Sequence, residues 1–152
     1  MAQQPDVDEL FDVKNAYFTG NYQGCINESQ KLQPTDPDLV VKKNVYMYRA
    51  YLALKKFGVV RDEVGSNSPA LLLPLKTLMA YIQSEGNISK RSAIVEEVEN
   101  IAISGDAANT TSILVNATIL YHEGNLETAL KVLHAAPSDH LESMALRYLK
   151  TS

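Results

Sequence analysis

The chain has 152 residues, 45% of them hydrophobic, with 14 Lys and Arg against 18 Asp and Glu for a net charge of −4 at pH 7. That is enough chain for one domain with a sizeable core. The acidic balance, and basic residues that never cluster beyond pairs such as Lys42-Lys43, Lys55-Lys56 and Lys90-Arg91, argue against nucleic acid or anionic lipid as a direct ligand. No run of about 18 apolar residues occurs, and residues 1–10 carry Asp6, Asp8 and Glu9 without an apolar stretch, so a soluble cytosolic protein without membrane span or secretory leader is expected.

A first helix is expected over residues 6–19, opened by an Asp6-x-x-Glu9 capping box and carrying Leu10, Val13, Tyr17 and Phe18 on one face. Gly20-Asn21 ends it, and a partner helix follows over residues 22–32 with Cys25 and Ile26 inward. The segment Gln33-Pro34-Thr35-Asp36-Pro37 breaks the chain. Asp36 then serves as N-cap and Pro37 as first residue of a long helix running to about Lys55, with Val41, Val45, Tyr48 and Leu52 along it. A short return helix covers residues 58–64, and Gly65-Ser66-Asn67-Ser68-Pro69 reads as a loop.

The fifth helix starts at either Pro69 or Pro74. Its residues Leu71, Leu72, Leu73, Leu75, Leu78, Met79 and Ile82 form an apolar surface wider than a stripe, which predicts an inner position. Ser89 is the expected cap of a sixth helix carrying Ile94, Val95, Val98 and Ile101. A small-polar loop at residues 104–109 precedes a seventh helix over residues 110–123. Gly124-Asn125 then turns into an eighth over residues 126–134, with Leu130 and Leu133 inward. After Pro137, Asp139-x-x-Glu142 caps a final helix with Leu141, Met144, Leu146, Tyr148 and Leu149.

Gly20-Asn21-Tyr22-x-x-Cys25-Ile26 returns as Gly124-Asn125-Leu126-x-x-Ala129-Leu130, 104 residues later. This is close to three times the roughly 34-residue period of a tetratricopeptide repeat. Weaker copies lie between, around Phe57-Gly58-Val59-Val60 and at Gly86-Asn87-Ile88 before Ala93-Ile94, so that Tyr22, Phe57, Ile88 and Leu126 are 35, 31 and 38 residues apart. Asn15-Ala16-Tyr17-Phe18 likewise matches Arg49-Ala50-Tyr51-Leu52. Gly and Asn suit the tight turn of a helical hairpin, and a small residue on the second helix allows close approach. The expected fold is all-α: a tetratricopeptide-like helical-hairpin repeat array (α-solenoid) of about four hairpins plus a final helix, forming one domain over residues 1–152. The final helix has no partner and shows apolar residues outward, so a truncated array is expected rather than a capped one.

No Gly-x-Gly-x-x-Gly, Gly-x-x-x-x-Gly-Lys, His-Glu-x-x-His or Gly-x-Ser-x-Gly occurs. The chain has three histidines. His134 and His140 straddle Pro137 but lack further ligands for a metal, and His122 suits a helix C-terminus, where a cation favours the dipole. Glu96 and Glu99 share a helix face, more simply as a solvated face than as an acid and base. The lone Cys25 reads as a compact core residue. The Asn-x-Ser/Thr triplets at Asn27, Asn87, Asn109 and Asn116 read as chance. No cofactor, metal or catalytic residue is expected, and the predicted role is binding another protein.

In such arrays partners bind the side lined by each hairpin's first helix. The repeat register places Asn15, Phe18, Arg49, Leu52, Tyr121 and His122 there: aromatics for apolar contact and an amide for hydrogen bonding. The alternative for Phe18 and Leu52 is packing between repeats. A cochaperone-like tetratricopeptide adaptor for acidic peptide termini is a second reading, weakened because Arg49 is its only cation in this register. An uncharacterised hydrolase is a third.

The run Val7-Asp8-Glu9-Leu10-Phe11-Asp12-Val13-Lys14-Asn15-Ala16-Tyr17-Phe18, with Gly20-x-Tyr22-x-x-Cys25-Ile26-Asn27-Glu28, resembles the amino-terminal region of the epsilon subunits of coatomer, the COPI vesicle coat. Tyr48-Arg49-Ala50-Tyr51-Leu52-Ala53 with Lys56-Phe57-Gly58-Val59-Val60-x-Asp62-Glu63 is similar to that family's second repeat, and Asn109-Thr110-Thr111 and Ala129-Leu130-x-x-Leu133-His134 also resemble it. Residues 67–83 fit loosely, and the family's carboxy-terminal half is missing. The resemblance implies a non-enzymatic coat subunit. It would bind the carboxy-terminal domain of coatomer's alpha subunit, meet other coatomer subunits, insert in no membrane, and support Golgi-to-endoplasmic-reticulum retrograde and intra-Golgi transport from the cytoplasmic face of Golgi membranes and vesicles.

Overall fold

A computed structural model describes residues 8–105 and 109–134. Among the described residues are eight helices and no strand: α1 (Phe11–Phe18), α2 (Tyr22–Lys31), α3 (Pro37–Ala53), α4 (Phe57–Glu63), α5 (Pro74–Gln83), α6 (Ile88–Ser104), α7 (Thr110–His122) and α8 (Leu126–His134). They pair as four hairpins, α1 with α2, α3 with α4, α5 with α6 and α7 with α8. The fold is the all-α helical-hairpin type that the sequence predicts. Asp6, His140 and the final helix expected after Pro137 lie outside the described residues.

The chain divides into two compact units, Met1–Leu72 and Leu73–Ser152. In the first, α1 packs on α2 and α3, and α3 on α2 and α4. Leu10, Val13, Cys25, Ile26, Val45, Leu52, Val60 and Val64 fill its core. In the second, the enclosed helix is α7, which packs against α5, α6 and α8 and buries Thr111, Val115, Asn116, Ala117, Ile119 and Leu120. This corrects the inner position expected of α5: only Leu75 and Tyr81 of that helix are buried, whereas Leu78, Met79 and Ile82 are half-buried.

Hairpin corners explain the pairing. At the first, the Gly20 N–H donates to Tyr17 O (3.1 Å) and the Asn21 N–H to Ala16 O (2.8 Å), with Gly20 at φ 82°. The fourth repeats this with Gly124 to Tyr121 O (3.0 Å) and Asn125 to Leu120 O (2.9 Å), and the second with Lys55 to Leu52 O (3.0 Å) and Lys56 to Tyr51 O (2.9 Å). This is the Schellman arrangement, which satisfies the last carbonyls of the first helix while a left-handed residue reverses the chain. The next residue then starts the second helix. Asn21 Oδ1 accepts from Gly24 N–H at 3.0 Å and Asn125 Oδ1 from Thr128 N–H at 3.3 Å.

The third corner differs. Four residues, 84–87, separate α5 from α6, and the Asn87 N–H reaches only Ser84 O (2.9 Å), although Gly86 again takes a φ of 82°.

Two helix starts correct the sequence reading, and a third decides between the two starts it left open. α1 begins at Phe11 because Asp8 makes a turn before it: its carboxylate accepts from the Leu10 N–H and its carbonyl from the Phe11 N–H, both at 3.0 Å. α5 begins at Pro74, which lacks the N–H needed to extend helical bonding from the turn at residues 69–73. Asn87, not Ser89, caps α6, accepting from the Lys90 N–H at 3.1 Å. Asp36 and Pro37 open α3 as expected, with Asp36 Oδ1 accepting from the Asp38 N–H at 2.9 Å.

Candidate partner-binding residues

The first unit assembles a cation among aromatic rings. Tyr17 and Phe18 lie at the end of α1, and Tyr46 and Arg49 are three residues apart on α3, hence on one face. Packing α1 against α3 brings the four together. Tyr17 meets Phe18, Tyr22 and Tyr46 edge-on at centroid distances of 5.4, 5.6 and 5.8 Å, and Phe18 meets Tyr46 at 6.0 Å. The Arg49 guanidinium lies 4.3 Å from the Tyr17 ring centre and 5.6 Å from that of Tyr46, within cation–π range.

Arg49 is only 9% exposed, and its buried Nη1 has no hydrogen-bond acceptor among the described residues. Phe18 is half-buried and Asn15, three residues before it, is exposed. Leu52 is 1% exposed and belongs to the core, the packing alternative for that residue. The sequence-predicted set in this unit therefore gathers Phe18 and Arg49 around shared rings, with Asn15 beside them and Leu52 inside.

In the second unit, Tyr121 is half-buried and His122 exposed, their rings 6.0 Å apart and nearly perpendicular at the end of α7. A neighbouring cluster escaped the sequence reading. Arg91 Nε donates to Glu123 Oε1 at 2.9 Å, and its Nη2 donates to the Tyr81 hydroxyl at 2.9 Å and to Glu123 Oε2 at 3.3 Å. Burial, then the Glu123 charge, hold the Tyr81 hydroxyl above its usual pKa. The signal was present in the register: Arg91 stands four residues after Asn87, where Cys25, Val60 and Ala129 follow the other corners and are all fully buried. At the third hairpin, a polar clamp replaces the small-residue contact.

Cys25 is wholly buried, its Sγ 3.8 Å from Tyr46 O, and burial pushes its thiol up to about 11. Asn87 and Asn109 are spent as helix caps, and Asn116 is buried. Of the Glu96 and Glu99 pair on α6, Glu96 is exposed and Glu99 half-buried. Among the described residues, no three His, Cys, Asp or Glu side chains gather to hold a metal, and no helix is long and apolar enough to cross a membrane.

Recurring corners and paired helices define a helical-hairpin repeat protein. The family model for the coatomer epsilon subunit matches residues 6–149, and this chain belongs to that family. It is 30% identical over 149 residues to coatomer subunit epsilon-2 of Oryza sativa subsp. japonica, covering 96% of this chain and 49% of the relative. Coatomer subunit epsilon-1 of Arabidopsis thaliana is 30% identical over 144 residues, covering 95% of this chain and 48% of the relative. Coatomer subunit epsilon of Caenorhabditis elegans is 27% identical over 113 residues, 74% of this chain and 38% of the relative. The chain thus spans about half the length of its plant relatives.

Proposed function

We propose that this chain works as a scaffold subunit of the COPI coat, binding the carboxy-terminal domain of the alpha subunit without catalysing a reaction. Through that contact it joins the other coatomer subunits at the cytoplasmic face of Golgi membranes, in retrograde and intra-Golgi transport. The observation that carries the reading is the family match over residues 6–149. Side-chain chemistry supports it: Phe18 and Arg49 in one unit and Tyr121 in the other are of the aromatic and arginine types enriched at protein contacts, and Asn15 and His122 add hydrogen-bonding groups.

The test is co-elution of this chain with the alpha subunit's carboxy-terminal domain on a sizing column, in parallel with a full-length epsilon subunit. Co-migration is expected for both. Separate elution of both would overturn the reading; separate elution of this chain alone would place the binding energy in the other half of the protein.

A further inference from the structure

We propose that Arg49 is the receptor for a single side-chain carboxylate, from Asp or Glu of the polypeptide that docks on the first unit. The inference deepens the partner-binding reading above and rests on it for the identity of that polypeptide.

Arg49 presents five N–H donors in a planar fork. The Tyr17 and Tyr46 rings interact with the cation but offer no strong acceptor to the fork. Among the described residues none accepts a hydrogen bond from the buried Arg49 Nη1 and no carboxylate pairs with Arg49, although the residue is only 9% exposed. A buried cation without a counter-charge is costly, and an apolar side chain of similar length would fill the same space without that cost. The arrangement makes physical sense if the missing acceptor arrives with a ligand, because a carboxylate binds such a fork with two parallel hydrogen bonds.

The surroundings select a polypeptide carboxylate over phosphate. Lys14 of α1 is paired with Asp8 at 3.0 Å, and a single guanidinium fork matches a single carboxylate. Exposed Asn15 offers an amide to a peptide backbone, and half-buried Phe18 offers an apolar face.

The experiment has two arms. In the first, sodium acetate is titrated into the chain at constant ionic strength while the Arg49 Nε–Hε resonance is followed by NMR; a saturable shift is expected, and its absence would overturn the proposal. In the second, calorimetry measures binding of the alpha subunit's carboxy-terminal domain to wild type, Arg49→Met and Arg49→Lys. Arg49→Met should weaken binding at least tenfold with an unfolding midpoint no lower than wild type, and Arg49→Lys should fall between. One Asp→Asn or Glu→Gln change in the alpha domain should reproduce the loss in wild type and add nothing to Arg49→Met. Equal affinity of Arg49→Met and wild type would overturn the proposal and leave the coat reading standing. A saturable acetate shift with no binding of the alpha domain by either this chain or a full-length epsilon subunit would sink the alpha-binding reading while the carboxylate receptor stands.

Discussion

Lys55 holds, at φ 59°, the same left-handed corner position that Gly124 holds at φ 82°. Both donate their N–H to the carbonyl three residues back, and the residues after them close the bond five residues back. The corner geometry is therefore set by the hairpin, and the residue type decides only how much strain it carries.

Lys55→Gly should accordingly relieve strain on the order of 1 kcal/mol, offset by about 0.5–1 kcal/mol for glycine's freedom in the unfolded chain, for a net gain of at most about 0.5 kcal/mol. Gly124→Val should destabilise by about 1–2 kcal/mol. An added Cβ at Gly124 meets nothing within 4 Å, so that cost is one of backbone conformation rather than collision. Urea unfolding midpoints for the two variants should move in opposite directions.

Ala129 is fully buried four residues after Asn125, and enlarging it tests the register of the fourth hairpin. Ala129→Leu should overpack the α7–α8 contact and cost about 1–3 kcal/mol. Ala93, the first alanine after the Gly86-Asn87 corner, is exposed on α6. Ala93→Leu should stay within about 0.5 kcal/mol of wild type. Equal losses at both positions in thermal unfolding would contradict the corner-based register.

These contrasts show why some features were legible and others not. The Gly-Asn corners, the Asp36-Pro37 start and the eighth helix could be read directly, because each depends on chemistry local to a few residues. The second corner is harder to read because Lys55 stands where the other corners have glycine, and the α6 cap because Asn87 belongs both to the turn and to the helix start. Enclosure of α7 and burial of Leu52 depend on which helices pack around them, which periodicity alone does not encode. The Arg91 clamp joins side chains from residues 81, 91 and 123, a long-range convergence with no local signature.

Alkaline conditions should destabilise the protein through Cys25. Its thiol is pushed from 9.0 up to about 11 by burial, so between those values the folded chain holds a proton that the unfolded chain has lost. Stability from this group is fully present below about pH 9 and declines as pH rises toward 11, by roughly 2 kcal/mol in total. Cys25→Ala should flatten that part of the pH profile in urea titrations. In native protein, alkylation of Cys25 at pH 8 should be slow, because the thiol is both protonated and buried.

Tyr81 provides a second test, in which two neighbours act with opposite sign. Burial and the Glu123 charge raise its pKa, while the bond from Arg91 and the Arg91 charge lower it. Removing the carboxylate charge with Glu123→Gln should therefore shift Tyr81 ionisation to lower pH, and Arg91→Met should shift it further up. Tyrosinate absorbance, with Tyr81→Phe subtracted to isolate one of the eight tyrosines, reads both shifts. Because the folded value lies above that of free tyrosine, the stability tied to Tyr81 is present below pH 10 and is lost as pH climbs through the folded value. The Arg91–Glu123 pair is partly exposed, so Glu123→Gln should also lower stability more at 10 mM salt than at 1 M, where the screening length falls to about 3 Å. A Tyr81 titration that moved the same way in both variants would mean that the clamp does not hold in solution.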